Sequence, residues 1–322
     1  MPNFPPQQIL PWPGRHAVLL VHGVGDASTG KDGAFPIDAV RQALGADAPN
    51  VAIYRVNYDF INDWIKEKVK FEAGIASLKN QVKLELGGGD ADKTIAEYTG
   101  DVVWPVFSTT LRFAVRDAII QQLIRIKMDR RETALRRGEN PMDYKISIIA
   151  HSLGCFHTYE VLAAAASEPA HALQPGTHAF RLNSVILMAS PVQVIRTVAK
   201  AIDALVPDDR SLASIARPLA IPSEMFLGKP SSCTKRFVAL TGSHDPIGGH
   251  LLGKQLDWAF MNVPNQETVI VEQRLLDIDT KELTAQGLAE AFAAGGPRVN
   301  DPHSWSGYIQ NQADLVRDRV LL

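Results

Sequence analysis

Residues 145–162 read KISIIAHSLGCFHTYEVL, and the predicted fold rests on these residues. Lys145 to Ala150 is a short apolar run that is typical of a buried strand, and the residues after Gly154 have the composition of a helix. Ala150 and Gly154 each lie two residues from Ser152, where small residues are needed because strand and helix approach closely at a sharp turn. The stretch therefore predicts a tight turn that lifts the Ser152 hydroxyl above the sheet, facing a helix N-terminus.

Short β-rich runs recur along the whole chain and alternate with longer helical patterns, which favours crossover units feeding a parallel sheet. The clearest run is AVLLVH, which is continuously apolar and typical of a strand buried on both faces. The predicted strands are Ala17 to His22, Val51 to Asn57, Lys145 to Ala150, Ser184 to Ala189, Arg236 to Thr241 and Glu267 to Glu272. We therefore expect an α/β fold with a mostly parallel, doubly wound sheet of about six strands.

Two long connections interrupt this pattern. A chain of 322 residues is compatible with two domains or with one large α/β domain with insertions, and we interpret residues 1–322 as a single domain. Residues 61–140 are predicted to be a helical insertion, because apolar residues from Leu111 to Ile126 recur at spacings of three and four. Residues 192–234 are apolar and proline-containing, and they form either a cap over a site or an irregular crossover packed on the sheet.

The composition excludes several classes of protein. Hydrophobic residues make up 46% and charged residues 21%, which excludes wholesale disorder, collagen and coiled coil. The formal net charge of -2 gives no global positive field, so nucleic acid is not an expected partner. Only two cysteines are present, so no disulfide framework is predicted.

Membrane and export signals are also lacking in the sequence. No run reaches the roughly 18 apolar residues of a membrane span, and the first residues, MPNFPPQQILPWPGRH, lack the apolar stretch of a signal peptide. We therefore expect a cytoplasmic protein with no stable membrane insertion. A basic cluster is interpreted as a solvated helix end rather than a membrane or nucleic-acid patch. Its members are Arg125, Lys127, Arg130, Arg131, Arg136 and Arg137.

Three partial motifs point to other chemistry and fail. Residues 25–32, GDASTGKD, miss the phosphate-binding loop pattern because Asp32 replaces the hydroxyl that would hold magnesium. A dinucleotide fingerprint fails because Ser28 stands where the third glycine is required. His244, Asp245 and His250 are residue types that suit zinc, but they lack a well-spaced third ligand. The sequence therefore predicts no cofactor and no metal.

Five separated motifs, in a fixed order, carry a resemblance to a known family. They are LLVHGVGD at residues 19–26, IIAHSLG at 148–154, LMASPV at 187–192, TGSHDPI at 241–247 and DPHSWSGY at 301–308. In these motifs the chain resembles the α/β-hydrolase fold family, and more narrowly its lipase and serine-esterase members. The resemblance covers most of the chain and implies that Ser152 is a nucleophile at a nucleophile elbow, with alanine replacing the first glycine of G-x-S-x-G.

A neutral serine is a weak nucleophile, so it requires a histidine base and a carboxylate that orients the histidine. The chain order of the family is serine, acid, histidine, which implies Asp245 as the acid and His303 as the base. Asp245 follows the fifth predicted strand, and His303 lies in a loop that enters a terminal helix. Asp277 and Asp279 remain weaker alternatives for the acid, and His250 for the base.

The resemblance also implies an oxyanion hole formed by the backbone amides of Val24 and Leu153. Two neighbouring histidines, His22 and His151, are expected to shape or hydrogen-bond the site. Cys155, three residues after the serine, is interpreted as a small buried packing residue.

Together these features predict a serine hydrolase that cleaves carboxylic esters through an acyl-enzyme, with water as second substrate and an apolar acyl group on the ester. The same triad would serve a thioesterase, amidase, lactonase or acyltransferase. A different class, a non-catalytic binding protein on a hydrolase fold, is the remaining alternative. The oligomeric state is not predicted.

Overall fold

The computed structural model of the protein describes residues 10–23, 35–58, 109–167, 182–191, 234–242, 270–276 and 304–322. These residues contain one sheet of six parallel strands in the spatial order β2-β1-β3-β4-β5-β6. The strands are His16–Val21 (β1), Val51–Val56 (β2), Lys145–His151 (β3), Leu182–Met188 (β4), Thr234–Gly242 (β5) and Ile270–Leu276 (β6). The α/β class and the parallel sheet that the sequence predicts are thereby confirmed.

The ends of three strands differ from the prediction by two residues or more. β5 begins at Thr234 instead of Arg236. β4 begins at Leu182, two residues before the predicted start, and β6 runs from Ile270 to Leu276 rather than ending at Glu272. The limits of β6 follow its pairing with β5, which extends from Arg236 opposite Ile270 to Gly242 opposite Leu276. This pairing is a tertiary property, so the local apolar pattern of the sequence does not contain it.

Five α-helices lie within the described residues and cover both faces of the sheet. They are Ile37–Leu44 (α1), Thr109–Arg137 (α2), Leu153–Ser167 (α3), Trp305–Asn311 (α4) and Ala313–Leu321 (α5). α1, α4 and α5 share one core with alternate residues of the strands, such as Val18 and Leu20 of β1. α2 and α3 pack on each other; α2 also packs against β1 and β2, and α3 packs against β1 and β3. Since successive strand residues point to opposite faces, Leu19 lies on the other face of the sheet and is also fully buried.

The helix α2 lies within residues 61–140, where the sequence predicts a helical insertion, while residues 59–108 and the predicted cap, apart from Thr234, lie outside the described residues. Its basic end serves local contacts, as expected for a helix end. The guanidinium of Arg137 donates to the carbonyl oxygens of Trp12 at 2.7 Å and Pro13 at 3.2 Å, and Arg136 pairs with Glu132 at 2.8 Å. Among the described helices, none has the length and apolar content needed to cross a membrane.

A buried polar network, here called the N-terminal anchor, joins the start of the described chain to β2 and α2. The indole Nε1 of Trp12 donates to the hydroxyl of Tyr54 at 2.8 Å, and that hydroxyl donates to Asp129 at 2.9 Å. The Trp12 amide donates to Thr133 at 3.0 Å, and Arg125 lies 3.8 Å from the Asp129 carboxylate. Because each of these polar groups has a partner, the anchor is buried without orphaned charge.

The last helix, α5, is fixed at the amino ends of the strands. The side-chain amide of Asn183 donates to the carbonyl of Arg319 at 3.0 Å, and the Ser184 hydroxyl donates to the same carbonyl. Nδ1 of His16 lies 3.2 Å from the carbonyl of Val320. These contacts satisfy carbonyls at the end of α5 that have no partner within the helix.

Candidate active site

The turn between β3 and α3 is a single residue, Ser152. β3 ends at His151, α3 begins at Leu153, and Ser152 has a φ of +53°. A positive φ is uncommon for a residue with a side chain and costs free energy of order 1–3 kcal/mol, so it persists only where the surrounding structure imposes it. Ser152 is 2% exposed, its amide donates to the carbonyl of Met188 at 3.0 Å, and its own carbonyl accepts from Cys155 at 2.9 Å. The sharp turn predicted from the sequence is thereby confirmed.

Two glycines allow the chain to close around this turn. A Cβ added to Gly154 would lie 2.2 Å from the carbonyl oxygen of His22 and 2.5 Å from that of Val21. A Cβ added to Gly23 would lie 2.5 Å from the Cβ of Ser152 and 3.0 Å from its Oγ. Both positions therefore exclude any side chain. The predicted need for a small residue two positions after the serine is confirmed, and the backbone at the end of β1 touches the serine side chain.

Ser152 lies at the point where the order of the strands reverses. The chain passes from β1 to β2 on one side and then returns to β3 on the other side of β1. Ligands of open α/β sheets bind outside the carboxyl ends of the strands at such a switch point. The exit of β1, at His22 and Gly23, and the exit of β3, at Ser152, meet there.

The neighbouring strand ends continue this edge. The amide of Ser152 bonds to the end of β4, and the amide of Ala189, just after β4, donates to Leu240 of β5 at 3.0 Å. Ala189 also has a positive φ, of +54°. The edge is therefore built from two successive tight turns. Only the first turn is predictable from the sequence, because an alanine does not mark a positive φ.

The start of α4 packs directly beside the serine. The ring of Trp305 stacks on the ring of His151 at 5.4 Å between centroids and 10° between planes. The ring centroid of Trp305 also lies 6.3 Å from that of Phe35, which precedes α1. The hydroxyl of Ser304 accepts from the amide of Gly307 at 3.3 Å and caps the helix N-terminus. The segment that follows His303 in the chain thus lies next to the residue that precedes Ser152.

The structure brings together only part of the predicted site. Ser152 forms the turn, and Leu153 lies in the first turn of α3, where backbone amides have no partner within the helix. Their roles as nucleophile and oxyanion donor stay predictions. Val24, Asp245 and His303 lie outside the described residues and stay predictions. The same holds for His244, His250, Asp277 and Asp279, and for the glycine-rich residues 25–32. Among the described residues, no group of three side chains is suited to hold a metal ion.

His22 lies at the exit of β1 and is almost fully buried. Its Nδ1 is 2.7 Å from the carbonyl of Gly23, and its Nε2 faces the amide of Tyr58 at 3.5 Å. A carbonyl requires a donor and an amide requires an acceptor, so the ring is neutral with its proton on Nδ1. Burial lowers the pKa of His22 to about 4, which agrees with a neutral ring near pH 7. The expectation that His22 hydrogen-bonds at this site is confirmed.

Cys155 has the structural role that was expected. It is fully buried, and its thiol donates to the carbonyl of Met188 at 3.2 Å, the same carbonyl that accepts from the amide of Ser152. The thiol therefore supports the turn. Cys233, the other cysteine, lies outside the described residues.

Two further residues near the turn carried no signal in the sequence. Tyr58 follows β2 and is fully buried, with its ring stacked on His22 at 4.2 Å. His157, on α3, is fully buried, and within the described part of the chain neither ring nitrogen has a hydrogen-bond partner. Burial first, and then the charge of Arg112, lower the pKa of His157 to about 3. Both residues lack a motif, because their importance comes from which strands and helices become neighbours.

Comparison of the chain with protein-family models, with curated proteins and with solved structures gives no match. The fold and the site are therefore interpreted from the residues and the geometry alone.

Proposed function

We propose that the protein is a serine hydrolase of the lipase-like α/β-hydrolase family that cleaves carboxylic esters through an acyl-enzyme. One observation carries the proposal: Ser152 is held at a positive φ between a strand end and a helix start, at the switch point of a parallel sheet, with Gly23 against its side chain. A strained, imposed backbone at such a position is typical of a nucleophile elbow.

In the proposed reaction the Oγ of Ser152 attacks the ester carbonyl carbon while His303 takes the hydroxyl proton. Asp245 holds the imidazole of His303 in the required tautomer. The carbonyl oxygen becomes an oxyanion that accepts hydrogen bonds from the amides of Val24 and Leu153. Each donor of this kind contributes on the order of 3 kcal/mol to transition-state stabilisation.

The tetrahedral intermediate collapses when His303 returns its proton to the leaving alkoxide, which departs as the alcohol and leaves Ser152 acylated. Water then attacks the acyl-enzyme with His303 as base, and the carboxylic acid is released with Ser152 restored. The start of α3 supports this chemistry, because its N-terminus carries a positive partial charge beside the developing oxyanion.

The substrate is proposed to be a small-molecule ester with an apolar acyl group, and the reaction needs no cofactor. Apolar residues in the two long insertions support the apolar acyl group. If medium-chain esters are cleaved no faster than acetate, this part of the proposal is wrong.

The test measures hydrolysis of p-nitrophenyl esters from acetate to palmitate by three proteins: wild type, Ser152→Ala and Ser147→Ala. Ser147 is a matched control, because it is a fully buried serine on β3, the strand that leads to Ser152, and its hydroxyl has no partner within the described residues. We expect Ser152→Ala to lose turnover by about 10⁴-fold or more, and Ser147→Ala to retain it.

Labelling with a fluorophosphonate, followed by peptide mass spectrometry, separates the alternatives. Turnover together with a label on Ser152 supports the proposal. Labelling without ester turnover points to a thioesterase, amidase, lactonase or acyltransferase. If the protein is not labelled and does not turn over esters, a binding protein on a hydrolase fold is favoured.

A further inference from the structure

Tyr58 holds the backbone at the exit of β1, next to the candidate nucleophile. It lies two residues after the end of β2, the strand that pairs with β1. Its hydroxyl donates to the carbonyl of His22 and lies 3.3 Å from the carbonyl of Gly23. Its own amide faces Nε2 of His22 at 3.5 Å. Through these contacts one tyrosine reaches both carbonyls of the short segment that leaves β1.

The ring of Tyr58 is itself held from two sides. His22 stacks on it at 4.2 Å and 14° between planes, and His157 of α3 meets it edge-on at 5.4 Å and 73°. The tyrosine is fully buried, so the ring and hydroxyl have a defined position. His157 follows Ser152 on the helix that leaves the turn. The ring of Tyr58, in contact with His22 on one side and His157 on the other, therefore connects the exit of β1 to the helix that follows the elbow.

The carbonyl of Gly23 is fixed by two groups, Nδ1 of His22 at 2.7 Å and the hydroxyl of Tyr58 at 3.3 Å. In a trans peptide the C=O and the following N–H point in opposite directions. Holding the Gly23 carbonyl therefore restricts the rotation of the peptide group to which it belongs. Gly23 also lies against the Ser152 side chain, because a Cβ added to Gly23 would be 3.0 Å from the Ser152 Oγ.

We propose that Tyr58 is a positioning residue that orients the oxyanion-binding amide after Gly23. The role rests on the proposed serine hydrolase function, and Tyr58 does not itself contact the substrate. An oxyanion donor is effective only when it is aimed at the place where charge develops. A phenylalanine at position 58 would keep the stacked ring but lose both contacts to the carbonyls, so the amide would lose part of its alignment.

The test compares Tyr58→Phe with Tyr54→Phe, a matched loss of a buried tyrosine hydroxyl on β2 that belongs to the N-terminal anchor. Active sites are counted by fluorophosphonate titration so that kcat refers to folded enzyme. We expect Tyr58→Phe to lower kcat by about 10- to 100-fold with KM changed less than about twofold. For Tyr54→Phe we expect kcat to stay within about twofold of wild type.

Affinity for an alkyl trifluoromethyl ketone gives a second readout that a purely structural role would not change. The ketone forms a tetrahedral oxyanion adduct with the serine, so its affinity should fall in Tyr58→Phe by the same factor as kcat/KM. Affinity for the alcohol product, which carries no charged oxygen, should stay unchanged. Equal kcat and equal ketone affinity in Tyr58→Phe and wild type would overturn the proposal, as would an equal loss in Tyr54→Phe.

A second pair of variants keeps the test decisive if Tyr58→Phe does not fold. His22→Asn retains a donor nitrogen in the position of Nδ1, and His22→Leu removes it. We expect His22→Asn to keep the ketone affinity that His22→Leu loses. The reason is that a donor nitrogen bonded to the Gly23 carbonyl keeps the proposed oxyanion-binding amide aligned. Equal affinities in both variants would overturn the proposal. If wild type itself neither turns over esters nor labels at Ser152, the proposed function is wrong and the positioning role falls with it.

Discussion

Tyr54 and Tyr58 are both buried and lie four residues apart along β2 and its exit, yet their hydroxyl groups bond to different kinds of partner. The hydroxyl of Tyr54 lies between two side chains, Trp12 and Asp129, and joins the N-terminal segment to α2. The hydroxyl of Tyr58 bonds to backbone carbonyls beside Ser152. The first network stabilises the chain, whereas the second fixes the direction of a peptide group. Substitutions in the two regions should therefore separate effects on stability from effects on turnover.

The largest difference between the effect on turnover and the effect on stability is expected for substitutions of the proposed triad residues His303 and Asp245. We expect His303→Ala and Asp245→Asn each to lower kcat/KM by about 10⁴-fold, equivalent to about 5 kcal/mol, because a neutral serine then lacks an oriented base. Unfolding midpoints should stay close to wild type. Ester kinetics and thermal unfolding of the purified variants measure both quantities.

His250→Ala and Asp277→Asn are the matched controls for this prediction, since these residues are the alternatives in the same part of the chain. Both should retain turnover. If either control carries the loss instead, the base or the acid is assigned to the wrong residue.

The N-terminal anchor should show the opposite behaviour. Tyr54→Phe leaves the Asp129 carboxylate and the Trp12 indole each without one buried partner, and we expect unfolding free energy to fall by about 2–3 kcal/mol. The hydroxyl of Tyr144 bonds to Glu139 at a partly exposed site, so Tyr144→Phe should cost less than about 1 kcal/mol. Urea denaturation compares the two. Equal losses would show that the anchor adds no special stability.

The difference between the two tyrosines also shows how far the sequence could predict the molecule. Six strands could be located because parallel strands buried on both faces are continuous apolar runs. The turn at Ser152 could be located because Gly154 and the strand before it are local signals. Tyr58 could not, because its role depends on β2 lying beside β1, which no local pattern specifies. His157 looked like an ordinary residue of an apolar helix for the same reason.

The His157 side chain, which packs against Tyr58, makes the free energy of unfolding depend on pH. It faces Arg112 of α2, His22 of the β1 exit and the ring of Tyr58, and its pKa in the folded chain is about 3 against 6.5 for an unperturbed histidine. Between pH 6.5 and 3 the unfolded chain binds a proton here that the folded chain does not, so stability falls as pH falls. From pH 6.5 to 5 the loss is on the order of 2 kcal/mol.

His157→Leu should therefore reduce the dependence of unfolding free energy on pH between 6.5 and 5. It should not abolish that dependence, because His22, with a pKa of about 4, contributes a similar slope. Thr158→Val is the matched control, because Thr158 is the next residue on α3, is fully buried, and has a hydroxyl without a partner in the described part of the chain. It removes a buried polar group without removing a titration. Urea denaturation at several pH values measures the slopes. An unchanged slope in His157→Leu would place the acid sensitivity elsewhere.

The smallest expected effect concerns the backbone of Ser152 itself. At a φ of +53° a residue with a side chain is strained, and glycine is not, so Ser152→Gly should be more stable than Ser152→Ala by about 1 kcal/mol. At Ser147, within β3, the order should reverse, because glycine in a strand costs about 0.5–1 kcal/mol relative to alanine. Both variants at Ser152 lack the hydroxyl, so their difference reports the backbone alone. If alanine is the more stable residue at both positions, the turn stores no strain, and the main geometric support for a nucleophile at Ser152 is lost.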